Sequence, residues 1–226
     1  MVRSKAAGAE LYLPDDRGLP SLQAAAGECQ GCSLYQDASQ IVFGHGPPDA
    51  PIMLVGEQPG DREDVEGLPF VGPAGRLLAR ALDEAGVDAT LTYQTNAVKH
   101  FKFTRKGGSR RIHEKPSRTE VVACRPWLFA EIEVVQPRVI VCLGATAAQS
   151  LLGSAFRLTA HRGDSLQLPA EIGVSLQPDP IVLATVHPSA ILRDRSDNRD
   201  AVYDSLVRDL RRAGGVGNER ARADEA

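Results

Sequence analysis

The chain has 226 residues, 42 % apolar and 24 % charged, the composition of a packed globule of one or two domains. Its apolar runs fall far short of the roughly 18 residues of a membrane helix, and its N-terminus (MVRSKAAGAELYLPDD) lacks the apolar stretch of a secretory signal, so a cytoplasmic protein off the membrane is expected. The net charge of −3 excludes a uniformly basic nucleic-acid coat and, taken alone, weighs mildly against a DNA partner.

Residues 1–18 are polar and patternless and read as loose. Short apolar runs at Ile52–Gly56, Tyr93–Val98, Arg138–Gly144 and Ile181–His187 read as four buried strands. Helical patterns separate them. Pro73–Gly86 opens on proline and closes on glycine, with Leu77, Leu78, Ala81 and Leu82 on one face. Ser117–Val135 opens on a capping box, Ser117 and Glu120. Ala145–Leu152 and Asn198–Ala213 are two more helices, and 214–226 reads as a disordered tail. Buried strands alternating with helices predict an α/β fold. It is a single domain over 19–213, a three-layer α/β/α sandwich around a mostly parallel four-stranded sheet. Such sheets bind ligands at the carboxyl ends of their strands, here after Val55, Val98, Leu143 and Val186.

Three of those strand ends carry unusual residues. The first leads into Gly56-Glu57-Gln58-Pro59-Gly60-Asp61 and then Gly67–Gly75, a glycine-rich entry to a helix that matches neither a P-loop nor a dinucleotide fingerprint. It is either a tight strand-to-helix connection or an anion site. Within it Phe70 is either a core aromatic or a platform for a planar ligand. The second leads from Asn96 into residues 99–118, where eight of 20 residues are Lys or Arg and one is acidic. That loop carries +7, so the rest of the chain carries −10. It reads as a solvated insertion or a phosphate-binding arm. The fourth strand ends in His187-Pro188-Ser189, where the histidine is structural or functional. His45, His100 and His161 lack such placement and read as structural or surface residues.

Four cysteines, Cys29, Cys32, Cys124 and Cys142, leave none over. Cys142 alone could be a buried small hydrophobe. Together they suit a four-thiolate site, with an iron–sulfur cluster slightly favoured over zinc because the second pair is widely spaced.

In this order, each near a strand end, the motifs resemble the iron–sulfur (type 4) branch of the uracil-DNA glycosylase superfamily over residues 20–212. The quoted motifs are Gly56-Glu57-Gln58-Pro59-Gly60, Asn96 in Thr95-Asn96-Ala97-Val98-Lys99, His187-Pro188-Ser189 and the cysteine pattern. Gln58 and the inserted loop with Arg110-Arg111-Ile112-His113 resemble its UdgX group. The resemblance implies a structural [4Fe–4S] cluster on the four cysteines, with zinc as the alternative. It implies uracil-containing DNA, single- or double-stranded, as the partner, with Gln58, Gly60, Asp61, Phe70, Asn96 and His187 around the flipped base; nothing in the sequence suggests an oligomer, and a monomer is expected.

On that reading Asn96 matches uracil O4 and N3–H, Phe70 stacks on the ring, and His187 donates to O2 as negative charge builds. His113, aided by Glu57, captures the sugar at C1′ and leaves a covalent adduct, while Arg111 positions the loop. Lys99, Lys102, Arg105, Lys106, Arg110 and Arg193 hold DNA, and Leu192 fills the gap in the stack. The alternatives are an ordinary turnover glycosylase with the same pocket, or a non-catalytic, metal-stabilised nucleic-acid binder.

Overall fold

A computed structural model describes residues 8–105, 107, 110–170, 176 and 178–224, with side chains to residue 217. In chain order the elements are α1 (Leu19–Ala26), β1 (Ile52–Gly56), α2 (Asp61–Glu66), α3 (Pro73–Ala85), β2 (Thr92–Asn96), β3 (Phe103–Arg105), β4 (Arg111–His113) and α4 (Arg118–Val135). There follow β5 (Val139–Leu143), α5 (Ala145–Leu152), α6 (Leu158–His161), β6 (Leu166–Gln167), β7 (Ile181–Thr185), α7 (Pro188–Arg193) and α8 (Arg199–Asp224).

The main sheet runs β2-β1-β5-β7-β6. Its first four strands are mutually parallel, and β6 pairs antiparallel with β7. The sheet therefore has five strands rather than the expected four. The added edge strand spans two residues, too few to carry a periodic signal. Alternation along the strands builds the layers. Ile52, Leu54, Val139 and Val141 face α3 and α8 through Leu78, Leu82, Leu206 and Leu210. Met53, Val55, Ile140 and Cys142 face α4 and α5 through Leu128, Ile132 and Leu151.

Both chain ends depart from expectation. Residues 1–7 lie outside the described residues, but from Gly8 the N-terminus is docked. Gly8 N–H donates to Gly31 C=O at 3.0 Å, and Ala9 is fully buried beside Leu22 and Trp127. At the other end α8 continues past Ala213 to Asp224, with Val216 packed on the core. The Gly214-Gly215 pair does not stop the helix, because the apolar face persists beyond it.

The basic loop is also folded. β3 and β4 form a two-stranded antiparallel ribbon with Phe103 opposite His113. The hydroxyl and carboxylate of the predicted capping box close over the start of α4 (Ser117 N–H to Glu120 Oε2, 2.6 Å; Glu120 N–H to Ser117 Oγ, 3.3 Å).

One polar network lies inside the sheet-to-α4 contact. Lys99 and Glu131 are both fully buried and form an ion pair. Glu131 also accepts from Gly44 N–H at 2.9 Å, the Tyr93 hydroxyl at 3.1 Å and the Thr95 hydroxyl at 3.0 Å. Lys99 Nζ donates further to Thr95 Oγ1 at 2.6 Å and to the Asn96 carbonyl at 2.8 Å. Burial and the neighbouring Glu131 carboxylate push the Tyr93 phenol well above its usual range, so it stays a donor. Lys99 was expected on DNA. It is corrected to an interior residue, because an ammonium so enclosed cannot reach a phosphate. Replacing one buried partner strands the other charge, so Lys99→Met should cost roughly 3–5 kcal/mol in denaturant unfolding. A loss below about 1 kcal/mol, the range of a surface pair, would overturn this role for the network.

Candidate active site

The carboxyl ends of β1 and β2 lie side by side, with Gly56 opposite Asn96. A Cβ on Gly56 would meet Asn96 Oδ1 at 2.3 Å and Phe70 Cζ at 2.8 Å. Only glycine at this position lets the Asn96 amide and the Phe70 ring converge. Asn96 is 3 % exposed, and its side-chain amide takes no hydrogen-bond partner among the described residues. A buried amide left open in this way is suited to a ligand with its own donor and acceptor. Phe70 reaches its place through a left-handed backbone (φ 57°), a conformation costing about 1–3 kcal/mol for a non-glycine residue. Its carbonyl lies where a side chain on Gly75 would stand, so the first turn of α3 supports the strained residue.

Glu57 follows directly. Its Oε2 accepts from the Thr146 hydroxyl at 2.5 Å, and its Oε1 lies 3.7 Å from His113 Nε2. Thr146 is at the start of α5, just after β5. Position after Leu143 was the signal that could have found it, but no residue there had distinctive chemistry. From the end of β7 comes His187, whose Nδ1 takes the Ser189 backbone N–H at 3.1 Å and lies 2.7 Å from the Ser189 hydroxyl. Accepting at Nδ1 assigns the ring proton to Nε2. Burial, with Arg193 and His113 adding, pushes the His187 pKa down to about 4, so the ring is a neutral donor at pH 7.

His113 stands on β4, with 44 % of its side chain exposed. Burial holds its pKa below the ordinary histidine value; Glu57 opposes that shift and Arg193 reinforces it. Gln58 is 7 % exposed and clasps the ribbon. Its Nε2 donates to the carbonyls of Lys102 and Glu114, both at 3.1 Å, and stands 3.0 Å from His113 Nε2. Its Oε1 accepts the Lys102 N–H at 3.3 Å. Gln58 is thus spent on the loop, not on a base.

Arg111 latches the same strand to α2. It donates from Nε to Asp61 Oδ1 at 2.6 Å, from Nη2 to the Asp61 carbonyl at 3.2 Å, and from Nη1 to Asp64 and to Ser39 Oγ, the last at 3.3 Å. Its guanidinium also covers Phe101 and Phe103. Asp61, expected at the base, is engaged by Arg111 instead. Gly60 donates its N–H to Glu63 Oε2 at 3.1 Å as the cap of α2. Both are corrected from base contacts to parts of the latch and its helix. Asp64 and Ser39 gave no sequence signal, because their partner lies about 50 or more residues away.

The remaining cations divide. Lys102 Nζ is drawn to Glu120 at 3.1 Å and Glu114 at 3.6 Å, so its charge is balanced within the protein and its expected DNA contact is not available as it stands. Arg105, Arg110 and Arg193 are exposed, as is Leu192 beside Arg193 on α7. Lys106 lies outside the described residues.

The cysteines separate three from one. Cys29, Cys32 and Cys124 share one buried cluster with Trp127 and Val98. Trp127 Nε1–H points at Cys29 Sγ and Lys99 N–H at Cys124 Sγ, each at 3.2 Å. Donors aimed at sulfur suit thiolates that ligate a metal. Cys142 belongs to the sheet core with Met53, Leu128 and Ala184. Burial pushes both Cys124 and Cys142 up to about 12; Cys124 also feels Lys99, Cys32 and Cys29, whereas burial acts alone on Cys142. Cys142 is corrected to a core residue, since a β5 side chain packed between sheet and helices has no path to the other three. Zinc–thiolate bonds of about 2.3 Å would draw sulfurs to within about 3.8 Å of one another. Among the described residues no three His, Cys, Asp or Glu side chains are gathered about one ion in that way.

A family model described as the uracil DNA glycosylase superfamily matches residues 43–211. Type-4 uracil-DNA glycosylases of Thermotoga maritima and Sulfurisphaera tokodaii are each 37 % identical to this chain, over 75 % and 73 % of it and 81 % and 71 % of their own lengths. That of Archaeoglobus fulgidus is 34 % identical over 73 % of this chain and 78 % of its own. The matched span holds every strand of the sheet and the whole basic ribbon, and on that footing the chain belongs to the uracil-DNA glycosylase superfamily, in close resemblance to the type-4 enzymes.

Proposed function

We propose that the chain excises uracil from DNA and is then captured on the sugar through His113, as a member of the UdgX group. The observation that carries this reading is His113 clasped by Gln58 and the Arg111 latch 3.7 Å from Glu57. Uracil turned out of the strand enters between Phe70 and Asn96. The Asn96 amide meets O4 and N3–H, a pattern that cytosine reverses, so the wrong base leaves polar groups unpaired. As the C1′–N1 bond breaks, its electron pair passes to uracil and charge gathers on O2, where the His187 Nε2–H donates. Removing one such donor typically costs about 10²–10³ in rate.

The sugar is left as an oxocarbenium ion. A ring nitrogen of neutral His113 gives its lone pair to C1′, and the positive charge moves to the imidazole. Loss of the other ring proton to Glu57 leaves a neutral imidazole, a poor leaving group, which makes the bond persist. Exposed Arg105, Arg110 and Arg193 hold the strand, and exposed Leu192 fills the vacated stack. A [4Fe–4S] cluster would sit in the nest of Cys29, Cys32 and Cys124 and supply rigidity, since bond cleavage needs no electron.

Incubation with a uracil-containing oligonucleotide should give free uracil and a protein–DNA species that survives denaturing electrophoresis. Uracil release without that species would favour the turnover reading, and neither product would favour a non-catalytic binder. His113→Ser should abolish the adduct while uracil is still released. Loosening the clasp with Gln58→Ala or Arg111→Gln should slow adduct formation by roughly 10²-fold through misplacement of the ring, with base excision much less affected.

The same reaction has a defined pH response. Protonation removes the lone pair that His113 needs, and its pKa lies below the ordinary value of about 6.5. The adduct rate should therefore stay level as pH falls through that ordinary range and decline only at lower pH. A decline centred at or above about 6.5 would overturn the neutral-imidazole step.

A further inference from the structure

The first turns of α4 and the facing turns of α5 leave a groove of about 510 Å³ between them. On the α4 side Arg118, Val121, Val122 and Arg125 line it, at the i, i+3, i+4, i+7 spacing of one helix face. A face turned toward a neighbouring helix is ordinarily apolar, whereas this one begins and ends on arginine. Lys115 adds a third cation, and among the described residues no acidic side chain lines the groove. Unlike Lys99, Lys102 and Arg111, these three cations form no ion pair among the described residues.

Two of them stand at a cost to the free protein. The Arg125 guanidinium rests over the Phe129 ring at 5.9 Å, and its Nε is buried with no hydrogen-bond partner among the described residues. Buried donors are nearly always satisfied, so this N–H calls for an acceptor from outside the chain. Arg118 is the first residue of α4, where a cation opposes the helix dipole. An anion in the groove relieves both. The rest of the lining narrows the kind of anion. Pro116, Val121 and Val122 make an apolar floor, with Val122 45 % exposed. Cations spaced along such a floor suit a strand that carries phosphates on one side and sugars and bases on the other. A free phosphate would use the cations alone. The placement fits the same occupant. Thr146, which lines the groove, bonds Glu57 at 2.5 Å, and Lys115 follows His113 by two residues.

We propose that this groove holds the DNA strand running out from the flipped nucleotide, with Lys115, Arg118 and Arg125 on its phosphodiesters and the apolar floor against its sugars and bases. The proposal rests on the glycosylase reading, but its test uses DNA without uracil, so that the two fail separately.

Lys115→Gln/Arg118→Gln removes the two exposed cations and spares the partly buried Arg125, and circular dichroism checks that the fold is kept. Binding of a uracil-free oligonucleotide is followed across a salt series. The log–log slope should shrink in magnitude by about 1.4 on single strands or about 1.8 on duplex, at 0.7 and 0.9 for each of two lost contacts. Arg208→Gln/Arg212→Gln removes the same charge from exposed positions on α8, across the sheet from α4, and should leave the slope as it is. An unchanged slope in the groove variant, or an equal loss in the α8 variant, would overturn the groove. At matched ionic strength, inorganic phosphate should displace the oligonucleotide no better than chloride; displacement specific to phosphate would give the groove to a free anion instead. Oligo-glutamate should compete less well than DNA, and equal competition that is lost in the groove variant would give it to an acidic protein.

Discussion

The buried pair of Lys99 and Glu131 is the constraint on which the two halves of this molecule depend. A charge so enclosed must be met on every side, and here it is met by β2 through Thr95 and Asn96, by the Gly44 backbone and by α4. The carbonyl it holds belongs to Asn96, whose side-chain amide lines the proposed base pocket. The amide N–H of Lys99 itself holds Cys124 Sγ. A replacement by apolar residues of similar size could pack as well, since buried pairs often contribute little net stability. What it could not do is fix the Asn96 backbone and the Cys124 sulfur from one point.

A second constraint shapes the basic loop. Its sequence suggests a free cationic arm, but three of its eight cations serve the fold. Lys99 is interior, Lys102 bonds to Glu114 and Glu120, and Arg111 to Asp61 and Asp64. Each of these attachments shortens the set of conformations open to His113. The loop is better understood as a positioned strand with a charged rim. Arg105, Arg110, Lys115 and Arg118 remain exposed on that rim, enough for about four phosphate contacts and a duplex salt slope near −3.6.

Local signals made much of this legible. The four central strands, the capping box of α4 and the proline-to-glycine span of α3 are written in short-range patterns, and all stand close to where those patterns put them. So do Glu57, Asn96 and His187, because parallel sheets concentrate chemistry at strand ends. What the sequence hid was pairing across distance. Cys142 fitted a four-cysteine count, yet its neighbours in the strand, Val141 and Leu143, show a position set by sheet packing. Thr146, Ser39 and Asp64 carry ordinary residue types, and only the fold gives them partners. Burial of Lys99 was invisible for the same reason, since nothing near it in sequence announces Glu131.

The net charge of −3 therefore has a more local meaning than a composition can carry. Opposed charges within the protein convert part of the basic run into structure. Four carboxylates outside the loop, Asp61, Asp64, Glu120 and Glu131, and Glu114 within it are spent on the loop's own cations. Of the exposed remainder, Lys115 and Arg118 line the groove that reaches Thr146, the residue bonded to Glu57. A surface acidic elsewhere discourages indiscriminate contact with DNA. A small unbalanced patch beside a site that reads one base then serves the need of an enzyme that must leave ordinary DNA quickly. For the covalent capture proposed above, that separation would matter more than affinity, because a mistaken stop would be permanent.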